Sequence, residues 1–131
     1  MASFRPAEHV RQRRDFERAY KSGAKVSGRF MTLFAVANNA GRPRLGVAAT
    51  RKMGRAVIRN RAKRRARELF RQHKPQACCD FVVIPRREFI DAAFPTLERE
   101  FSSLVDRAAR ASRVTTPERR LPGSASADSR L

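Results

Sequence analysis

The sequence predicts an α+β fold, a two-layer sandwich in which helices pack on one sheet of roughly four strands. Segments with helical spacing and segments with strand alternation are interleaved along the chain in the order α-β-β-α-β-α. Gly28 is a candidate break in the first β segment, which would make the order αβββαβα. With 131 residues, 41% of them hydrophobic, the chain suits one domain with a modest core.

The first two elements are predicted over residues 12–22 and 26–37. Phe16, Ala19 and Tyr20 recur at the i, i+3, i+4 spacing of a helix, and Gly23 suits the position after its end. The strand alternates between two faces. Its two predicted sets are Phe30, Thr32 and Phe34 on one face, and Met31, Leu33 and Ala35 on the other.

A turn and a second strand are predicted next. Residues 38–43, Asn-Asn-Ala-Gly-Arg-Pro, form a cluster of turn-forming residues. The strand that follows, over residues 44–50, is therefore expected to return antiparallel to the first. Leu45, Val47 and Ala49 are expected to share one of its sides.

A long helix is predicted between Gly54 and Pro75, over residues 55–73. A narrow apolar stripe along this helix is predicted to pack on the sheet. Its members are Ile58, Ala62, Ala66, Leu69 and His73.

The last elements are a strand over residues 81–84 and a helix over residues 95–111. The strand reads Phe-Val-Val-Ile and is apolar on both faces, which indicates a central position in the sheet. The helix carries apolar residues at helical spacing from Leu97 to Ala108. From Ser112 onward the chain is polar, so residues 1–111 are predicted to form the domain and residues 112–131 a disordered tail.

The charge of the chain is concentrated in the long helix and its approach. Residues 51–74 hold eleven Lys or Arg and a single acid, Glu68, in a chain of net charge +18 and pI near 11.8. Arg59, Lys63, Arg67 and Arg71 form a column with spacing of four, in which each pair repels by roughly 0.2–0.5 kcal/mol. The alternative is a solvated charged face. The lack of acidic partners favours a polyanion as ligand.

A membrane surface fits the composition less well than nucleic acid. No apolar run approaches the roughly 18 residues of a membrane span. An interfacial helix would carry Trp, Phe or Leu where this one carries Ala62 and Ala66. Met1 to Val10 lack the apolar stretch of a signal peptide, and the adjacent Cys78 and Cys79 are best read as reduced thiols. A cytoplasmic location is expected.

Aromatic residues provide a second candidate site, and two interpretations stay open for them. Phe16 and Tyr20 share a helix face, and Phe30 and Phe34 share a strand face. Such rings either stack on unpaired bases beside a basic groove or belong to the core. Tyr20 is expected to be the most exposed, because its hydroxyl requires water or a partner.

The residue pattern does not predict catalytic chemistry by the protein itself. A metal-dependent nuclease needs clustered carboxylates, yet residues 21–74 contain only Glu68. No Gly-rich phosphate loop is found. His9 and His73 lie apart from each other and from any cysteine pair of metal-ligand spacing. The sequence predicts a binding protein with no catalytic residue and no certain metal ligand of its own.

The basic segment resembles a known signature. Residues 50–65, Thr-Arg-Lys-Met-Gly-Arg-Ala-Val-Ile-Arg-Asn-Arg-Ala-Lys-Arg-Arg, closely resemble the signature of the bacterial ribonuclease P protein subunit, as does the continuation over residues 67–71. Asp15-Phe16, residues 20–23 and residues 45–47 support the resemblance, and residues 80–84 match more loosely. It covers roughly residues 10–110.

The resemblance implies a fold, partners and site residues. The fold is that of the second domain of a small-subunit ribosomal protein. The partners would be a catalytic RNA, which performs the cleavage, and precursor tRNA, with Mg²⁺ bound mainly by RNA, and neither DNA nor a membrane. Matching positions imply a 5′-leader cleft at Phe16, Tyr20 and Phe34. The residues expected to face the catalytic RNA are Arg51, Lys52, Arg55, Arg59, Asn60, Arg61, Lys63, Arg64, Arg67 and Arg71.

Two other functions stay open at this point. A structural RNA-binding protein of the ribosomal type would carry a similar basic surface without any part in cleavage. A self-contained nuclease is disfavoured by the scarcity of carboxylates in the basic region.

Overall fold

The computed structural model describes residues 8–115, which form three α-helices and one four-stranded sheet. Two short 3₁₀ helices, Arg51–Met53 and Arg87–Phe89, lie in the connections. The α+β class and the αβββαβα order are confirmed. In chain order the elements are α1 Arg13–Ser22, β1 Ala24–Ser27, β2 Met31–Ala37, β3 Arg44–Val47, α2 Ala56–Gln72, β4 Cys79–Pro85 and α3 Phe94–Thr115.

The strands lie in the order β1-β2-β4-β3. The predicted central position of β4 is confirmed, because it pairs antiparallel with β2 and parallel with β3. β3 does run opposite to β2, as expected, but the two strands are not neighbours. The apolar β4 takes the place between them, and α2 forms the crossover that leads from β3 to the parallel β4.

The break between β1 and β2 is held by a carboxylate from α3. Glu100 accepts hydrogen bonds from the backbone N–H groups of Arg29 (2.8 Å), Phe30 (2.8 Å) and Met31 (3.1 Å). Gly28 leaves room for it, since a Cβ there would come within 2.4 Å of the Glu100 carboxyl carbon. The sequence indicated the break but not this partner, which is about 70 residues away along the chain.

The alternation predicted for β2 is confirmed within the strand. Met31, Leu33 and Ala35 are fully buried in the main core, where α3 packs on β1 and β2. Phe34 points to the opposite face, which α1 partly covers. Phe30 departs from the prediction: it precedes the strand and packs against the main core instead.

The apolar stripe of α2 is buried as predicted at Ala62, Ala66 and Leu69. Phe70 is also fully buried and was not predicted. Ile58 is 36% exposed, so the prediction that it packs on the sheet is wrong. The helix packs mainly against β3, the 3₁₀ helix Arg51–Met53 and α3, and its first turn stays exposed at Val57 and Ile58.

The end of α2 is joined to α3, which is longer than predicted. His73 Nε2 lies 2.8 Å from Glu98 Oε2. α3 continues to Thr115, and Ser112 is only 4% exposed, so the helix includes the first residues assigned to the tail. The rest of the predicted tail, residues 116–131, lies outside the described residues.

A buried carboxylate on β4 connects α1 to the sheet. Asp80 is 0% exposed and accepts hydrogen bonds from Arg18 Nη2 (3.0 Å), Asn38 Nδ2 (2.7 Å) and both Arg44 Nε and Nη2 (2.7 Å each). The Asp80 bond and the Asp80 charge raise the pKa of Arg44 against the effect of burial. Because Arg18 belongs to α1 and Arg44 to β3, this cluster sets the position of α1 over the sheet.

Candidate nucleic-acid interface

The start of α2 is built as a positive surface. Arg55 provides no side-chain cap, and the first turn holds no acid, so the helix dipole is not offset locally. Arg59 Nη1 instead donates to the Gly54 carbonyl (3.0 Å), which fixes the turn before the helix. Gly54 has a φ of +137°, a conformation that favours glycine. Arg51, Lys52 and Arg55 are exposed around this turn.

Most of the predicted RNA-facing residues on α2 itself lie on its open surface. Lys63 and Arg59 are half-buried, and Arg59 bonds the Gly54 carbonyl. The exposed members are Asn60, Arg61, Arg64 and Arg67. These side chains are therefore available to successive phosphates along a helix that rises about 1.5 Å per residue.

Arg71, at the far end of the column, has an acidic neighbour. Its Nε donates to Glu68 Oε1 at 3.0 Å, and its Nη2 bonds the other carboxylate oxygen. Hydrogen bonds from Arg71 and then Gln72 lower the pKa of Glu68. The single acid of the basic segment thus balances the charge of Arg71, and the open positive face is concentrated between residues 51 and 67.

Arg65 has a structural role although it belongs to the same signature. Its guanidinium donates to the backbone carbonyls of Ile90 and Ala92, the latter at 2.7 Å, and lies 6.0 Å from the centre of the Phe94 ring. It therefore holds the middle of α2 against the segment that leads into α3. The neighbouring Arg64 is exposed, and the sequence alone did not separate these two roles.

The three residues predicted for the aromatic cleft do meet. The Phe16 and Tyr20 ring centres are 6.5 Å apart, and those of Tyr20 and Phe34 are 5.1 Å apart in an edge-to-face arrangement. Lys25 Nζ lies 5.9 Å from the centre of the Phe34 ring. Tyr20 is the most exposed of the three, as predicted, at 40%. Partial burial nevertheless raises its pKa.

A groove of about 400 Å³ joins the aromatic cluster to the basic helix. Phe16 contributes its ring from α1, while Lys63 and Arg67 reach in from α2. Gly46 on β3 permits this approach, because a Cβ there would come within 2.8 Å of Phe16 Cζ. The remaining lining residues are His9, Val10, Arg11, Leu45 and Val47. Two sites inferred separately from the sequence thus share one surface.

His9 is the titratable group in this groove, and the sequence reasoning missed it. Burial lowers its pKa, and the charges of Arg11 and Arg67 lower it further, against the smaller opposing effect of Glu8. The neutral imidazole is therefore favoured near pH 7 in the protein alone. The only signal in the sequence was proximity to Arg11, because Arg67 arrives through the fold.

Two further properties bear on what this surface can bind. Within residues 8–115 no three His, Cys, Asp or Glu side chains are grouped so that they could hold a metal ion. None of the helices in the described range is long and apolar enough to cross a membrane.

Comparison with known proteins gives one family throughout. The family model for ribonuclease P matches residues 4–109. A relative from Symbiobacterium thermophilum, a ribonuclease P protein component, is 39% identical over 105 residues, which covers 78% of this chain and 91% of the relative. A relative of the same name from Thermotoga maritima is 36% identical over 112 residues, with 80% and 95% covered.

Solved structures agree. The RNase P protein from Thermotoga maritima superposes with a TM-score of 0.69 at 35% identity and covers 76% of this chain and 96% of its own. The RNase P protein from Staphylococcus aureus gives 0.66 at 28% identity, with 83% and 98% covered. A basic α2 beside an aromatic cleft, on a fold shared with these proteins, identifies the chain as a member of the ribonuclease P protein component family.

Proposed function

We propose that this protein binds the catalytic RNA of ribonuclease P together with the 5′ leader of precursor tRNA, and so promotes removal of the leader. Membership of the family already implies a part in a ribonucleoprotein that processes tRNA. The observation that supports binding of both the catalytic RNA and the leader is the groove that Phe16, Lys63 and Arg67 line together. A single surface there offers a ring to a base and cations to phosphates.

The basic face of α2 is the part proposed to dock on the catalytic RNA. Arg61, Arg64 and Arg67 are exposed and project from one rigid element. Guanidinium groups bind phosphate oxygens through two parallel hydrogen bonds, which favours a defined geometry over diffuse attraction. These contacts position the RNA without reading its sequence.

The aromatic cluster is the part proposed to bind the leader. A single strand that passes over the sheet would meet Tyr20 and Phe34 at its surface and the groove at Phe16. Stacking on aromatic rings contributes roughly 1–3 kcal/mol per base and tolerates any sequence. Such tolerance suits leaders that differ from one tRNA precursor to the next.

Magnesium is proposed to be held mainly by RNA. The exposed face of α2 carries cations, and the described residues show no carboxylate cluster that fits Mg²⁺. When bound by RNA, Mg²⁺ would activate the attacking water and stabilise the leaving oxygen. The role of the protein is to bind and orient the RNA partners near that centre.

Reconstitution tests the proposal. We expect the chain, added to its cognate catalytic RNA at low Mg²⁺, to increase cleavage of precursor tRNA at the mature 5′ end. If adding the protein does not increase the rate at which the catalytic RNA cleaves precursor tRNA, the proposal is contradicted. Cleavage by the protein without RNA would support a self-contained nuclease, and stable co-purification with ribosomal subunits would support the structural RNA-binding alternative.

Tyr20→Ala is expected to weaken binding of precursor tRNA about tenfold while leaving mature tRNA almost unaffected, because the ring contacts only the leader. Affinity of the reconstituted holoenzyme for the two RNAs, measured in parallel, gives the comparison. Tyr20→Phe keeps the ring and serves as the control, with affinity close to that of the parent. An equal loss for leaderless tRNA would show that the cleft does not bind the leader.

RNA binding is expected to raise the pKa of His9, because phosphates would offset the charges of Arg11 and Arg67, which lower this pKa in addition to burial. Binding then takes up a proton, so affinity increases as the pH falls below the pKa in the complex and levels off below the lower pKa of the free protein. NMR titration of the imidazole with and without RNA measures both values. His9→Gln, which cannot titrate, is the control; the same pH dependence in both proteins would contradict the prediction.

A further inference from the structure

One exposed apolar side chain lies at the start of α2, beside the basic residues of this helix. Val57 is 70% exposed in the first turn of the helix. Within residues 8–112, for which side-chain burial is described, the other large hydrophobic residues of this kind are Tyr20, in the aromatic cluster, and Ile58. Ile58 lies against Gly54, about 3.5 Å from where a Cβ of that residue would be. Val57 is therefore the apolar residue on this surface that the fold does not explain.

The neighbours of Val57 on its own helix face are all exposed. Residues three, four and seven positions further along share that face. They are Asn60, Arg61 and Arg64. Valine has a lower helix propensity than alanine, lysine or glutamate, so it does not strengthen the helix at this position. A solvated face would gain nothing from an apolar residue here, whereas a bound partner would.

The chemistry around Val57 selects the kind of partner. A membrane-bound helix needs a broad apolar face, and here a single valine is set among charges. Arg61 and Arg64, about one and two turns further along this face, provide cations for phosphates, while Val57 at the start of the face provides an apolar contact beside them. A nucleotide chain has this pattern, since the sugar carbons and the base lie between successive phosphates.

We propose that Val57 packs against the sugar and base of one nucleotide of the bound RNA, while Arg61 and Arg64 hold the phosphates that follow on one side of that nucleotide. Asn60, three residues further along the same face, brings an amide that can donate to and accept from the edge of that base. This inference rests on the proposed function. The inference extends the proposed function by dividing the α2 interface into two kinds of contact. The contribution of the phosphate contacts to affinity depends on salt concentration, and that of the nucleoside contact does not.

Val57→Ala and Val57→Thr test the inference in binding to the cognate ribonuclease P RNA over a series of salt concentrations. Alanine removes both γ-methyl groups and threonine replaces one of them with a hydroxyl. Val57→Ala is expected to weaken binding about three- to tenfold and Val57→Thr by less, with an unchanged dependence of log K on log salt in both. Thermal unfolding should stay close to that of the parent, since Val57 is exposed and threonine matches valine in shape and propensity. Arg61→Ala is the contrasting variant, expected to reduce the salt slope by about one.

Methyl-labelled Val57 supplies an independent readout, through nuclear Overhauser contacts to ribose or base protons of the RNA.

Unchanged affinity in both valine variants would overturn the inference, as would a change in salt slope equal to that of Arg61→Ala. Loss of self-association with RNA affinity intact would assign Val57 to a contact between copies of the chain and also overturn it. If the parent protein fails to stimulate the catalytic RNA, the proposed function fails; if it stimulates and Val57→Ala matches it, only this inference fails.

Discussion

Asp80→Asn is expected to lower the free energy of unfolding by about 3 kcal/mol, because it removes a fully buried charge that holds two arginines. The carboxylate accepts four hydrogen bonds, one from Arg18, one from Asn38 and two from Arg44. An amide of the same shape can accept at only one of its two positions, and its NH₂ group would point at donors. Urea denaturation followed by circular dichroism measures the loss.

Glu88→Gln is the matched control for this change. Glu88 is an exposed acid on the 3₁₀ helix Arg87–Phe89, and the same loss of charge there should alter stability by less than about 0.5 kcal/mol. If both substitutions had equal effects, the buried cluster would not be what positions α1. Because α1 carries Phe16 and Tyr20, we also expect Asp80→Asn to weaken leader binding in the protein that remains folded.

The double variant Arg61→Ala, Arg64→Ala is expected to reduce the salt slope of RNA binding by about two, with roughly ten- to a hundredfold weaker binding at low salt. Both side chains are exposed on the same face of α2, so their removal leaves the core intact. Equilibrium binding to the catalytic RNA between low and physiological salt measures slope and affinity together.

Variants at two other arginines serve as controls, which distinguish the reduced salt slope of the double variant from a general loss of charge or of stability. Arg107→Ala removes an exposed charge from α3 and should change the slope little. Arg65→Ala removes the bonds to the Ile90 and Ala92 carbonyls, so it should lower the unfolding temperature more than it changes the slope. A double variant that bound with the parental slope would show that this face of α2 does not contact phosphates.

The helices and strands were predictable because the residues that become buried repeat along the sequence with the period of a helix or a strand. Ala62, Ala66 and Leu69 repeat at the helical period and are buried, and Met31, Leu33 and Ala35 alternate as a strand and are buried. The same method placed Ile58 in the core, where it is not. Periodicity reports which side of a helix is apolar but not which turns of that side are covered by neighbouring elements, and Ile58 in the first turn stays 36% exposed.

For the candidate site, the aromatic residues and the exposed cations were found from the sequence, and their arrangement was not. Phe16, Tyr20 and Phe34 were named separately, and they meet because α1 crosses the face of β2. His9 entered the groove unforeseen, since its environment depends on Arg67. Arg64 and Arg65 are chemically identical neighbours, and only the position of the Ile90 and Ala92 carbonyls makes one an anchor and the other a surface charge.

By itself the sequence determined the kinds of elements, the excess of positive charge between residues 51 and 74, and the family signature, because these depend on residues near one another in the chain. The tertiary structure decided that β4 lies between β2 and β3 and that Asp80 and Glu100 bind distant partners. It also decided that Phe16 of the aromatic site lines one groove with Lys63 and Arg67 of the basic helix. These features follow from contacts between segments far apart in sequence, which leave no periodic signal in any one of them.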